Sequence, residues 1–365
     1  MTDAKIHRMF KGKGLADRIT QKITDTRVSA TIMHVCGTHE QSITRSGLRT
    51  LLPDGLEIVP GPGCPVCVTP TNEIDAAVEM AERGAIVTVY GDMFRVPGRK
   101  GSLAEKRSDG CDSRIVYSPE NAVKIARENP DREVVFFAIG LETTAPMTAD
   151  VLLNEPPENF SVLCSHRLTP PAVDFLLSLG ETRINGLIEP GHVSTIIGVK
   201  GWKQIDEKYH VPQVIAGFEP IDILMAVLMI CRQLKNGHGL LENEYTRSVT
   251  YEGNPRALKA LKEVFSVKDA VWRGFPVIPG STFELKKGFL DFDAVKRFDV
   301  PIKTGDEACG MDCPLCGKIL RGLATPQDCP KFKAECTPQN PLGACMVSTE
   351  GTCNIAFRYG GTVKL

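Results

Sequence analysis

The chain has 365 residues, 42% of them hydrophobic and 24% charged, with a formal net charge of −1. That length exceeds one ordinary core and calls for two or three domains, and the composition is that of a globular protein. The near-neutral charge argues against a nucleic-acid or anionic-membrane surface, and the longest apolar run, Ile223 to Cys231, is far short of the roughly 18–20 residues of a membrane helix.

The opening stretch, MTDAKIHRMFKGKG, is polar and charged, without the apolar core of a secretory signal. The cytoplasm is therefore the expected compartment. From there to about residue 240, apolar runs rich in β-branched residues alternate with helical periodicity, the pattern of βαβ units around parallel sheets. Strands are predicted over residues 30–35, 57–59, 85–90, 134–139, 161–164, 186–188 and 213–216. Helices are predicted over residues 41–52, 73–82, 119–128, 172–179 and 222–235. A short Pro/Asp-bearing segment at 128–132 separates two similar blocks. The expected fold is α/β: two doubly wound, Rossmann-like lobes facing a cleft, lobe I over residues 1–130 and lobe II over 131–240. Residues 241–303 read as a connecting segment packed on the lobes, with a helix over 255–265 and an extended stretch over 272–285. Residues 304–365 are rich in Cys, Pro and Gly with few apolar runs. Such a segment needs a staple, and a metal is the expected one.

Thirteen cysteines in a reducing compartment point to metal ligation or redox chemistry rather than a disulfide framework. Seven of them (Cys309, Cys313, Cys316, Cys329, Cys336, Cys345 and Cys353) fall in the last 57 residues. Cys36, Cys64 and Cys67 lie in two Gly/Pro-bearing motifs, CGTHE (36–40) and GPGCPVC (61–67). Cys111 stands alone, and Cys164 and Cys231, inside apolar segments, read as small buried hydrophobes.

Ligands of open α/β sheets bind beyond the carboxyl ends of the strands. CGTHE and GPGCPVC fall at such ends, as do GLETTAP (140–146), EPGHVS (189–194) and GFEPID (217–222). The expectation is that two lobes present these loops across a shared cleft. Cys36 would precede a helix beginning near Thr38, with Thr38 and Gln41 matching a capping box. A thiol at a helix N-terminus feels the positive end of the dipole, which is expected to favour thiolate. His39 supplies either an imidazole ligand or a proton donor, against the plainer reading of a capping or surface residue. Cys64 and Cys67, with Pro65 between them, can close a disulfide or clamp a metal. Converging with Cys36, they make a soft donor set suited to iron or zinc. Glu142 and His192 are candidates for moving protons or orienting ligands, with N-caps and buried anchors as the structural alternative.

Together CGTHE, GPGCPVC, GLETT, PGHVS (190–194), GFEP with Asp222, and the Cys-rich tail containing CGKILRG resemble the HypD family of hydrogenase maturation factors. The resemblance covers essentially the whole chain, with one departure, Leu141, where an aromatic residue is expected. It implies two α/β lobes with a C-terminal 4Fe–4S domain. It also implies a scaffold role: with the chaperone HypC, binding a mononuclear iron and assembling the Fe(CN)2CO unit of nickel–iron hydrogenases, with cyanide delivered by HypF through HypE. Carried over by motif, Cys36 holds the iron together with a cysteine of HypC, and His39 sits against that iron. Cys64 and Cys67 cycle between dithiol and disulfide or complete the ligand set.

For the tail, the spacing C-x12-C-x6-C-x16-C of Cys316, Cys329, Cys336 and Cys353 looks like the family's 4Fe–4S pattern, four thiolates being the usual set. Cys345 is then a fifth thiol, an arrangement resembling ferredoxin:thioredoxin reductase, and a stand-alone thiol–disulfide oxidoreductase is the competing function. Cys309, Cys313 and Cys316 also have the C-x3-C-x2-C spacing of radical S-adenosylmethionine enzymes, but only 49 residues follow. A structural zinc site using Cys313 and Cys316 is the third reading.

Overall fold

The computed structural model describes residues 3–181, 183–302 and 313–360, with side chains from residue 14 onward. Eleven strands run in chain order: β1 (Ala30–His34), β2 (Leu56–Pro60), β3 (Ile86–Val89), β4 (Ser113–Ile115), β5 (Val134–Gly140), β6 (Phe160–His166), β7 (Gly186–Pro190), β8 (Gln213–Ala216), β9 (Leu241–Asn243), β10 (Phe265–Val271) and β11 (Val277–Leu285). They form a parallel sheet of order β2-β1-β7-β8-β9, a second parallel sheet of order β4-β3-β5-β6, and the antiparallel hairpin β10-β11. The predicted α/β class with parallel sheets is what is found. All seven residues of β5, VVFFAIG, are buried, because helices cover both faces of a parallel sheet and leave no solvent side for polar residues to alternate into.

The sheets do not divide at residue 130. The chain lays down β1 and β2, leaves to form the whole second sheet from β3 to β6, then returns with β7 to pair with the free side of β1. Lobe I is therefore discontinuous, and β3 and β4 pair with β5 and β6, not with β1. Periodicity reports strands but not partners, so a composition break at 128–132 is no guide to sheet membership.

Side chains alternate between two cores, as the strand period of two requires. Ile32, Ile58, Ile188 and Val214 face outward onto the helix Pro220–Asn236. That helix in turn packs on the N-terminal helix Asp3–Thr24, which the polar sequence there did not suggest. Met33, Leu187 and Ile215 face the second sheet's Val87, Val135 and Phe137 in one shared core. Ile319, Leu320 and Met346 of the Cys-rich segment complete it. Beyond the second sheet, Phe136 and Val162 meet the hairpin's Phe265 and Phe283. Cys231 is fully buried as expected, and Cys164, half-buried, lies 3.4 Å from the Phe283 carbonyl. Among the described residues no helix is long and apolar enough to cross a membrane.

Candidate thiol site and cysteine cluster

In the first sheet, β1 is flanked by β2 on one side and β7 on the other, so the chain reverses direction across the sheet between β1 and β7. Such a switch point leaves a crevice at the strands' carboxyl ends. Cys36 lies at the end of β1 and Glu189, Pro190 and His192 at the end of β7. The second sheet has its own switch between β3 and β5, and there stand Asp92 and Glu142.

Cys36 is the N-cap of the helix Gly37–Arg45. No side chain caps that helix, which corrects the expected Thr38/Gln41 box. The Thr38 hydroxyl is engaged elsewhere, donating to Glu350 at 3.2 Å. The predicted helix over 41–52 is instead this earlier one followed by a 3-10 turn, Leu48–Leu51. Gly63 brings the second motif against the first: a Cβ there would fall 2.2 Å from the Cys36 nitrogen, and the Gly37 N–H points at the Gly63 carbonyl. Cys64 and Cys67 are joined as a disulfide around the short helix Pro65–Val68, with Cα atoms 5.2 Å apart. The convergence of the two motifs is thus found. The thiolate expectation for Cys36 is not: burial, with the nearby Glu350 carboxylate, pushes its pKa up to about 11, outweighing the Thr38 and His39 backbone N–H groups that point at the sulfur.

His39 is fully buried, and its Nε2 bonds the Gly217 carbonyl at 2.9 Å. A carbonyl only accepts, so Nε2 carries the proton and Nδ1, which has no partner, keeps a free lone pair. Burial lowers the His39 pKa to about 3. Phe218 lies 4.9 Å from the His39 ring on one side and stacks on His192 at 3.8 Å on another. His192 therefore belongs to the same sheet edge as Cys36, not to an opposite wall. Glu142 does sit on the other sheet, but both its oxygens are occupied: Oε1 accepts from the Thr169 N–H at 2.6 Å and Oε2 from the Thr169 hydroxyl at 2.8 Å. Burial raises its pKa to about 7. The structure places Glu142 as the anchor of the helix Thr169–Leu179.

In the Cys-rich segment, Cys353 lies within electrostatic reach of Cys345, Cys313, Cys336 and Cys329, and Cys336 within reach of Cys313, Cys329 and Cys345. Cys316 is tied to the group by its hydrogen bond with Cys313, which with the Arg273 charge holds the Cys313 pKa down at about 7. The four expected ligands thus share one neighbourhood with Cys313 and Cys345; Cys309 lies outside the described residues. Among the described residues, no three His, Cys, Asp or Glu side chains close on a point fit for a single metal ion. The helix Ala344–Val347, bearing Cys345, packs on the helix Pro65–Val68 that bears Cys67.

A family model described as "Hydrogenase formation hypA family", HypD, matches residues 11–360. The chain belongs to the HypD family. A hydrogenase expression/formation protein of Methanocaldococcus jannaschii is 51% identical over 332 residues, 90% of this chain and 91% of that protein. The hydrogenase maturation factors HypD of Azotobacter vinelandii and Cupriavidus necator are 43% and 44% identical over 357 and 342 residues. They cover 95% and 90% of this chain and 93% and 89% of their own lengths. The last two are maturation factors by name, in accord with the resemblance drawn from six motifs.

Three residues of this HypD-family chain are not singled out as candidate site residues by the sequence. Glu189 is fully buried with Oε2 unpartnered. Asp92 holds the segment that covers the thiols. Arg273, also buried, donates to the Thr69 carbonyl at 2.8 Å behind the CPVC helix, on the side of Cys313. Only a buried charge in an otherwise apolar run, as in VWRGF (271–275), could have signalled the last.

Proposed function

We propose that this chain is the scaffold on which a mononuclear iron acquires its cyanide and carbonyl ligands during nickel–iron hydrogenase maturation. The observation that carries the proposal is the packing of Gly63 onto the Cys36 backbone, which brings the Cys36 loop and the Cys64–Cys67 disulfide loop together at one switch-point crevice. Iron is the substrate here. Cys36 is its primary holder, and HypC brings a further ligand; Cys64 and Cys67 join after two electrons and two protons open their disulfide into two thiols. The neutral His39 lone pair at Nδ1 is available to that iron or its ligands, and His192 with Phe218 walls the crevice where HypE delivers cyanide.

The six gathered thiols fit a 4Fe–4S cluster in their donor chemistry, being soft, sulfur-only and more than four. Cys316, Cys329, Cys336 and Cys353 would hold it, with Cys345 or Cys313 as an alternative ligand. Such a cluster supplies single electrons at low potential when bound. The packing of the Cys345 helix on the CPVC helix favours the disulfide as their recipient. A reducing cytoplasm suits these thiols.

The test is infrared spectroscopy of protein purified anaerobically with its partner. CN and CO stretches are expected, and they should vanish in Cys36→Ala while the cluster's absorption near 400 nm persists. An intact cluster and bound partner without those stretches would leave the stand-alone disulfide reductase as the better reading.

A further inference from the structure

The three sulfur-bearing residues of the crevice are closed off: Cys36 is 7% exposed, Cys64 4% and Cys67 0%. Part of what covers them is neither strand nor core helix. It is the loop 348–351, running between the Cys345 and Cys353 helices. Glu350 crosses Gly37 so closely that a Cβ there would fall 2.6 Å from the Glu350 carbonyl oxygen. The Ser348 oxygen lies 3.5 Å from the Cys64 sulfur. At its far end Gly351 lies against Cys345, where a Cβ would meet the Cys345 carbonyl oxygen at 2.2 Å. One loop therefore touches the Cys36 helix, Cys64 and Cys345.

What fastens it is a single carboxylate from the other lobe. Asp92 follows β3, at the switch point of the second sheet. One of its oxygens, Oδ2, accepts from the Ser348 hydroxyl at 3.1 Å, the Thr349 N–H at 3.0 Å and the Thr349 hydroxyl at 3.0 Å. Among the described residues Asp92 makes no ion pair; it also lies close enough to the Glu350 carboxyl of the same loop to add to the effect of burial in raising that group's pKa. The second fastening is the Thr38–Glu350 hydrogen bond. Thr349 itself faces solvent.

We propose that Asp92 is a positioning residue of the thiol site: it pins the strap 348–351 over Cys36 and Cys64, and release of that strap opens the site to its substrate. Strand ends and core helices cannot swing away without exposing the shared core, whereas the strap, Ser-Thr-Glu-Gly, puts no large apolar side chain into that core and is tied across to the lobes by the hydrogen bonds of Asp92 and Thr38. Local opening of such a segment costs far less than global unfolding. The inference deepens the thiol-site reading but does not depend on any metal being bound.

The test measures carbamidomethylation of Cys36 by iodoacetamide in the full chain under non-reducing conditions, followed peptide by peptide by mass spectrometry. Cys231, fully buried in lobe I, serves as the internal reporter of global loosening. Asp92→Ala removes three hydrogen bonds to a charged acceptor and should raise the Cys36 rate about tenfold or more, with Cys231 still protected. Thr349→Val, which deletes one of the three bonds at an exposed position, should give a smaller rise and carries the test if Asp92→Ala fails to fold. An unchanged Cys36 rate in a folded variant, or Cys36 and Cys231 rising together, overturns the proposal. Either result leaves the iron-scaffold reading to its own infrared test.

Discussion

Glu189 offers the sharpest quantitative test of the fold. It ends β7 with 0% of its surface exposed. With the Gln213 amide nitrogen turned toward it, Oε1 accepts one bond at 3.2 Å, and Oε2 has no partner. Burial alone raises its pKa from 4.5 to about 8. The native state thus keeps the proton over a window in which the unfolded chain has lost it. Below pH 4.5 both states are protonated and the residue is neutral in its effect. As pH rises from 4.5 to 8 the unfolded state gains, so stability falls, by about 1.4 kcal/mol per pH unit and roughly 3 kcal/mol in all by pH 7. Above pH 8 both states are ionised and the loss is constant. Glu189→Gln, close in shape and unable to ionise, removes this slope. The assay is urea unfolding of both proteins at pH 5, 6, 7 and 8, read by the fluorescence of Trp202 and Trp272, both fully buried. The stability of the variant relative to the parent should climb steadily across the series. A constant offset would mean that Glu189 titrates as if solvated, and would sink the argument.

Two further substitutions probe the packing that assembles the site. Gly63→Ala places a methyl 2.2 Å from the Cys36 nitrogen and the Val35 carbonyl carbon, backbone atoms that cannot turn aside. It should cost about 1–3 kcal/mol in urea unfolding and lower iron retained after anaerobic reconstitution, whereas Gly14→Ala, with nothing within 4 Å, should do neither. Arg167, 1% exposed, reaches Glu73 at 2.6 Å, the Thr282 hydroxyl at 3.0 Å and the Val271 carbonyl at 3.3 Å. Arg167→Met strands the Glu73 carboxylate and should cost about 3–5 kcal/mol, most of which the pair Arg167→Met with Glu73→Leu should restore if the stranded charge is the cause.

Most of the framework is legible in the sequence because its signals are local. The seven predicted strands are all present, since β-branched runs such as VVFFAIG have few other homes, and the thiol motifs fall where βα turns must fall. What is not legible depends on partners distant in sequence. Nothing in residues 30–60 announces that β1 will pair with Gly186–Pro190, so neither the discontinuous lobe nor the placing of Cys36 at a switch point can be read there.

The ionisation of Cys36 is hidden for the same reason. A helix N-terminus stabilises a nearby negative charge by about 0.3–1 kcal/mol, up to roughly 2 when partly buried, which amounts to little more than one pKa unit. Full burial can shift a thiol by about 3–5 units in the opposite direction. The dipole is readable from CGTHE, but the burial comes from GPGCPVC and from Glu350, which lies 314 positions away in the chain. The larger effect wins, and Cys36 in the closed site is a protonated thiol. The same Glu350 belongs to the strap that Asp92 holds, so the element that closes the crevice is also one that opposes charge on the Cys36 sulfur.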